Sequence, residues 1–325
     1  MKQKIMKGMI LIILIGLFWT IFFLTKEKES TSVEHIKLAE VTHSAFYTPL
    51  YISIENGYFK EENIEIELLL TPGADKVSTA VLSGDVQIGF AGPESAIYIY
   101  QKGEEDYLIT FAGLTKKDGQ FIVGREKDFT WKDLEGKEVL VGRKGGMPAL
   151  NFIKALKNAG VDISKVNLNY SIDFASLSGA FIGKTGDYVN VFEPNATILE
   201  TQGYGHILAS IGTMSGEMPY TAFYAKKSYL NSHPDTIKKI RKALNKGIEY
   251  TKNHSSKELA SIIIKQFPNT KESDLEKYIE NYKKNDSWLN NTFISEKIYQ
   301  NLEDLMIENN LLDTYVPYDK LIQNE

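Results

Sequence analysis

The strongest constraint on this chain is a recurring order: a short apolar stretch of strand length, a loop rich in Gly and Pro, then a helical stretch. Residues 36–42 alternate like a strand, and a polar, aromatic loop follows at 43–47. Pro49 then suits the first position of a helix, and Gly57 suits its C-terminal cap. A second strand is predicted at 64–70; its turn at 71–75 opens a helix that residues 83–85 close. A third strand at 86–91 runs through Gly92-Pro93-Glu94-Ser95 into another helix at 96–101. The order restarts after Leu114. Residues 121–123 read as extended, 130–137 as a short capped helix and 139–142 as a strand. A helix is expected at 149–159, and further short strands at 166–170 and 188–192. From Pro234 the chain reads as helical almost to its end, at 236–253, 256–266, 273–284 and 295–308. Repetition of this kind predicts an α/β fold with a parallel sheet and crossover helices. Ligands of such sheets bind beyond the carboxyl ends of the strands. The loops to watch are therefore 42–47, 72–75, 92–95, 143–148 and the Glu193-Pro194 corner.

The N-terminal segment has a different character. Lys2, Lys4 and Lys7 precede an apolar run at 8–24, and the chain turns polar at once from Thr25. That is the pattern of an export signal, which places the remainder outside the cytoplasm. No small-residue cleavage site stands between Leu24 and Val33, and there is no cysteine for a lipid anchor. The run of about 17 apolar residues lies at the short edge of what spans a bilayer. The preceding lysines favour a cytoplasmic N-terminus. An uncleaved signal-anchor over 1–32 is the expectation, tethering the protein to the extracytoplasmic face of a bacterial cell membrane; cleavage would leave it secreted.

Composition narrows the chemistry. The charge is −5, 43% of residues are hydrophobic and 24% are charged, as in a globular chain. There is no basic block to suggest nucleic acid. The absence of cysteine excludes disulfides and thiol chemistry. The five histidines, His35, His43, His206, His233 and His254, show no i, i+4 pair and no His-Glu-x-x-His, so neither a metal site nor a cofactor is implied.

Several short motifs stand in a telling order: Tyr51-x5-Gly57-Tyr58-Phe59-Lys60-Glu61-Glu62-Asn63-Ile64, then Leu82-Ser83-Gly84-Asp85-Val86-Gln87-Ile88-Gly89, Leu134-Glu135-Gly136-Lys137, Phe192-Glu193-Pro194, and Pro234-x2-Ile237-x2-Ile240. In these the chain resembles the substrate-binding proteins of ABC transporters in the SsuA/THI5-like group, which covers nitrate, sulfonate and thiamine-pyrimidine binders. The resemblance implies a two-lobe, type II periplasmic-binding-protein-like α/β fold, each lobe a mixed sheet flanked by helices. Lobe 1 would comprise 33–115 plus 221–325, and lobe 2 would comprise 116–220. It implies a non-enzymatic role: a small ligand captured between closing lobes and delivered to a permease served by a cytoplasmic ATPase. This chain has no Gly-x4-Gly-Lys-Ser/Thr motif of its own. Relatives of the fold that make the thiamine pyrimidine use a cysteine cluster and a His-x-Pro motif. Here there is no cysteine, and that position holds Tyr47-x-Pro49. A membrane-tethered sensor ectodomain is the other alternative.

Candidate ligand contacts follow from the strand-end loops. Phe46 and Tyr47 suit stacking on a flat ligand, or serve as core. Thr42 and His43 offer hydrogen-bonding groups, though a loop histidine can equally face solvent. Pro72 and Gly73 in one loop, and Gly145, Gly146 and Met147 in another near Arg143 and Lys144, precede helices whose free N–H groups can hold an anion; ordinary tight turns would look the same. Glu94, after Gly92, suits a ligand amine or amidine, and Glu193 could do likewise. Gln120 lies at the expected hinge, where it could read an amide or ring edge. Aromatics together with carboxylates lean toward a nitrogen heterocycle; a sulfonate- or nitrate-type anion is the alternative.

Overall fold

The computed structural model describes residues 33–325; the expected signal-anchor lies outside them. Among the described residues no helix is long and apolar enough to cross a membrane. Within these residues ten strands form two five-stranded sheets. The first contains β1 (Glu34–Glu40), β2 (Ile64–Leu70), β3 (Ile88–Ala91), β4 (Leu108–Thr115) and β10 (Thr221–Lys226), in the order β2-β1-β3-β10-β4. The second contains β5 (Phe121–Gly124), β6 (Glu138–Leu140), β7 (Asn167–Asn169), β8 (Tyr188–Val191) and β9 (His206–Ser210), in the order β7-β6-β8-β5-β9.

Both sheets are mixed, as the family resemblance implied and strand–helix alternation alone did not. β1 pairs parallel with β3, while β10 runs antiparallel to both β3 and β4. In the second sheet β6 is parallel to β7 and β8, and β5 is antiparallel to β8 and β9. The reversed strand of each sheet lies next to a crossing: β5 enters the second sheet from the first, and β10 returns. A strand arriving from another sheet need not obey the right-handed crossover that makes βαβ units parallel. The sequence reading passed over β4, β9 and β10, although Gly203 and Gly205 precede β9 and Gly216 and Pro219 precede β10.

The elements it did identify form for local reasons. Helix Thr48–Glu55 has Pro at its first turn and is followed by Gly57 at φ +75°, the left-handed conformation of a C-terminal stop. Thr130 and Asp133 cap the short helix Trp131–Leu134 reciprocally. In β5, Phe121 and Val123 join one apolar cluster and Ile122 the other, so both faces of the second sheet are buried. The first cluster also contains residues of the first sheet, such as Ile36 and Phe90.

Helix Pro234–Asn253 packs on Thr48–Glu55 across a close contact. Ser53 Oγ donates to Pro49 O (2.8 Å) and lies 3.1 Å from Ala243 O. A Cβ on Gly247 would fall 2.0 Å from that Oγ and 2.3 Å from Pro49 O. Gly247→Ala should therefore destabilise by about 1–3 kcal/mol, even though Ala is better than Gly in a helix by about 1 kcal/mol. An unchanged or raised denaturation midpoint would show that the two helices have room to part.

Candidate functional site

The loops after β1, β2 and β3 face those after β6, β7 and β8 across a cleft. It holds a cavity of about 260 Å³ and an adjoining hollow of about 200 Å³. Helices Ala74–Ser83, Glu94–Gln101 and Met147–Asn158 all begin at the larger cavity, and none has a side-chain N-cap. Their first N–H groups therefore give this wall a positive potential.

Glu94 opposes that potential. It is the first residue of its helix and is completely buried. Neither carboxylate oxygen has a hydrogen-bond partner of regular geometry. Burial raises its pKa to about 7, while the Arg143 guanidinium and the neighbouring backbone N–H groups of Glu94, Met147 and Ser95 pull it down. Arg143 Nη2 stands 3.5 Å from Glu94 Oε1, a charge pair rather than a good hydrogen bond. Its Nε is 4.0 Å from Asp75. Gly92 makes this arrangement possible, because a Cβ there would lie 2.0 Å from Glu94 Oε2 and 2.6 Å from Met147 Cγ. Tyr98 Oη donates to Gly145 O at 2.8 Å, linking the Glu94 helix to the β6 loop.

Of the residues singled out from sequence, Thr42, Tyr47, Pro72, Gly73, Gly92, Glu94, Gly146 and Met147 line the larger cavity. Thr42, His43, Pro72 and Glu193 line the smaller one. Three lie elsewhere. Phe46 is fully buried among the rings of Tyr282 (5.0 Å), Phe192 (5.4 Å), Tyr47 (5.5 Å) and Tyr220 (5.8 Å). Its loop folds into the short helix Ala45–Tyr47, which turns Phe46 into the core. Gln120 is buried and donates to Asn190 O at 3.1 Å. Gly145 serves through its carbonyl, at φ +76°, leaving its neighbour to face the cavity. Glu193 reaches the hollow, but its carboxylate is already occupied. It accepts from Thr197 N and Oγ1 (both 2.9 Å) and from Asn281 Nδ2 (3.1 Å). Tyr47 is itself 1% exposed, its ring 4.4 Å from Phe90, so most of it is core.

The sequence reading missed Tyr170, Asp173 and Phe174 in the β7 loop, and Phe192, Tyr220 and Thr221. The strand-end rule applied to the predicted strand at 166–170 points to the first three. Tyr220 precedes β10 and Thr221 opens it, and that reading did not identify this strand. Asp118 also escaped it. This residue is fully buried beside the cleft segments, with Oδ1 accepting from Gln120 N at 2.7 Å. Burial raises its pKa to about 8, against the pull of the Gln120 N–H and Tyr220. Two fully buried carboxyl groups near the cleft, Glu94 and Asp118, thus both resist ionisation.

Comparison with known proteins places this geometry. A profile of the NMT1/THI5 like family matches residues 44–258. The chain is 40% identical to a Bacillus subtilis (strain 168) protein named "Putative binding protein YtlA" over 314 residues, 96% of this chain and 94% of that one. It superposes on the alkanesulfonate-binding protein SsuA of Xanthomonas axonopodis pv. citri, solved bound to MOPS. The TM-score is 0.72 at 15% identity, covering 90% of this chain and 99% of that. It also superposes on the desulfurization enzyme DSZB, with TM-score 0.61 at 12% identity, covering 90% and 97%. At such identities the structures establish a shared fold alone. With the profile spanning most of both sheets and a relative alike over nearly its whole length, the chain belongs to the NMT1/THI5-like family.

Proposed function

We propose that this protein is the extracytoplasmic solute-binding component of an ABC importer, tethered by its N-terminal segment. It would capture a small nitrogen heterocycle, such as an aminopyrimidine, and deliver it to a permease driven by a separate ATPase. In this reading 33–115 with 221–325 forms one lobe and 116–220 the other. The segments around 114–120 and 217–223 act as the hinge. Family membership and the cleft at the strand ends support the transport role. Solute capture, rather than turnover, fits a family whose matched relative is named a binding protein.

The observation that carries the ligand class is Glu94. A fully buried carboxylate without a hydrogen bond of regular geometry is costly in the free protein. A ligand N–H or cationic nitrogen would satisfy it, whereas an oxyanion would add a like charge beside it. Phe174, Phe192 and Tyr220 supply flat apolar walls for a ring. The second reading, a sulfonate- or nitrate-type anion, draws on the three uncapped helix starts and on Arg143.

A thermal-shift screen of the full chain separates the two readings. Thiamine, hydroxymethyl- and formylamino-pyrimidines and riboflavin would be set against nitrate, taurine and alkanesulfonates. Heterocycles alone should raise the midpoint, by mass action on the native state. A shift with sulfonates alone would overturn the ligand assignment, and release of a chemically altered product would overturn the non-enzymatic one.

Glu94→Gln should weaken heterocycle binding about 10- to 100-fold, the worth of a hydrogen bond to a charged group. Titration calorimetry showing unchanged or tighter binding would remove Glu94 from recognition.

The same substitution has a signed effect on stability. The pKa of Glu94 is higher folded, about 7, than its ordinary 4.5. Its ionisation therefore costs the native state stability progressively from about pH 4.5 up to about 7. Glu94→Gln should leave stability unchanged at pH 4.5 and raise it at pH 8 by up to about 3 kcal/mol. Denaturant unfolding at the two pH values checks this.

A further inference from the structure

The wall of the smaller hollow contains a group whose protonation state follows from geometry. His43 Nε2 lies 2.8 Å from Gln266 O, a carbonyl that only accepts, so Nε2 carries a proton. His43 Nδ1 lies 2.6 Å from Glu40 Oε1. The other oxygen, Oε2, accepts from Tyr51 Oη at 2.8 Å. A neutral ring protonated at Nε2 would turn the Nδ1 lone pair onto a carboxylate oxygen at that distance. A second proton therefore lies between Nδ1 and Oε1, and the hydrogen bond and charge of Glu40 favour it on the ring. Glu40 is 1% exposed, so the charge has little water to fall back on.

The surroundings are consistent from every side. Tyr51, from helix Thr48–Glu55, stands 3.1 Å from Nδ1 through its hydroxyl, and its ring lies 4.9 Å from the imidazole. Phe267 covers the ring at 4.7 Å. Gln266 is itself fixed, its Nε2 donating to Glu55 Oε1 at 2.6 Å. Glu193 lines the same hollow, with its carboxylate engaged by Thr197 and Asn281. Burial works against the charged ring, and the hydrogen bond and charge of Glu40, helped by the Gln266 carbonyl, overcome it. The pKa of His43 consequently stands above the ordinary histidine value.

We propose that protonated His43, clasped between Glu40 and Gln266, is a positioning residue that holds the cleft-lining loop 42–47 in its binding conformation, so that the protein grips its ligand below neutral pH and loosens it in alkali. The proposal rests on the cleft being the ligand site. It goes beyond that reading by assigning a pH response to one clasp. The sign follows from linkage: a raised folded pKa contributes fully below about 6.5, the unfolded value, and the contribution disappears as pH rises through the folded value. Glu94, Glu193 and Asp118 also titrate near the cleft, so the response of the clasp is isolated by comparison with a His43 variant.

The first test needs no ligand. Imidazole nitrogen resonances of the full chain are followed from pH 5 to 9, with His43 assigned from His43→Gln. Both His43 nitrogens should remain protonated beyond pH 7, and Glu40→Gln should lower that titration by about one unit or more. A His43 that deprotonates at or below about pH 6.5, or one indifferent to Glu40→Gln, would overturn the clasp. Amide exchange, corrected for its intrinsic pH dependence, tests the positioning role. Protection of residues 42–47 should fall between pH 6 and 9 in the wild type and stay low and flat in His43→Gln; parallel profiles would refute it. Where a pyrimidine from the screen binds, its affinity should fall about 10-fold over the same range in the wild type only. If no compound binds, the ligand reading fails, and the nitrogen and exchange measurements still decide the clasp.

Discussion

The walls of the cleft stand where they do because Glu193 is held from three directions. Its backbone N–H donates to Tyr282 Oη at 2.9 Å, and its carbonyl accepts from Ser44 Oγ at 2.6 Å. Its carboxylate caps helix Asn195–Thr201 through Thr197 and reaches Asn281 on helix Glu272–Lys284. One residue at the end of a second-sheet strand is thus bonded to the loop after β1 and to a C-terminal helix. Ser44, Tyr282 and Glu193 are buried and Thr197 and Asn281 half-buried; where they are shielded, each bond is worth more than in water and each loss costs a desolvated group. Glu193 therefore acts in the architecture of the cleft, whatever the cleft holds.

Against that satisfied network, Glu94 and Asp118 stand out as buried acids with unmet hydrogen-bonding capacity. Folding alone would favour an apolar residue at either position. Keeping a carboxyl group there sacrifices stability, the usual mark of a site selected for something besides folding. Arg143 stays about half-exposed and 3.5 Å from Glu94, so it tempers the charge without neutralising it. The helix starts around it add a positive field of their own. The cavity thus presents both signs of potential within a few ångströms.

Much of this was legible before any coordinates. Pro49, Gly57, Gly73 and Gly84 punctuate the first half because their backbone demands are local: fixed φ at a helix start, positive φ at a turn or a stop. Strand-end loops were therefore found, and with them Thr42, Gly73, Gly92, Glu94 and Gly146. Phe46 and Tyr47 show where local reading stops. Two adjacent aromatics in one loop look equivalent in sequence, and both are largely buried, yet only Tyr47 reaches the cavity. Which ring meets the cavity depends on rings from residues 192, 220 and 282, far away in the chain.

The sequence by itself determined the α/β class, the strand-end loops that build the site and the presence of a carboxylate at Glu94, because helix starts, stops and strands are set by residues a few positions apart. Tertiary structure alone decided that β5 and β10 run against their neighbours, that Glu94 is buried with no regular hydrogen bond, that Glu193 is saturated, and that His43 lies between Glu40 and Gln266. Each of these depends on segments brought together from distant parts of the chain, whose burial, and so whose electrostatics, no local pattern records.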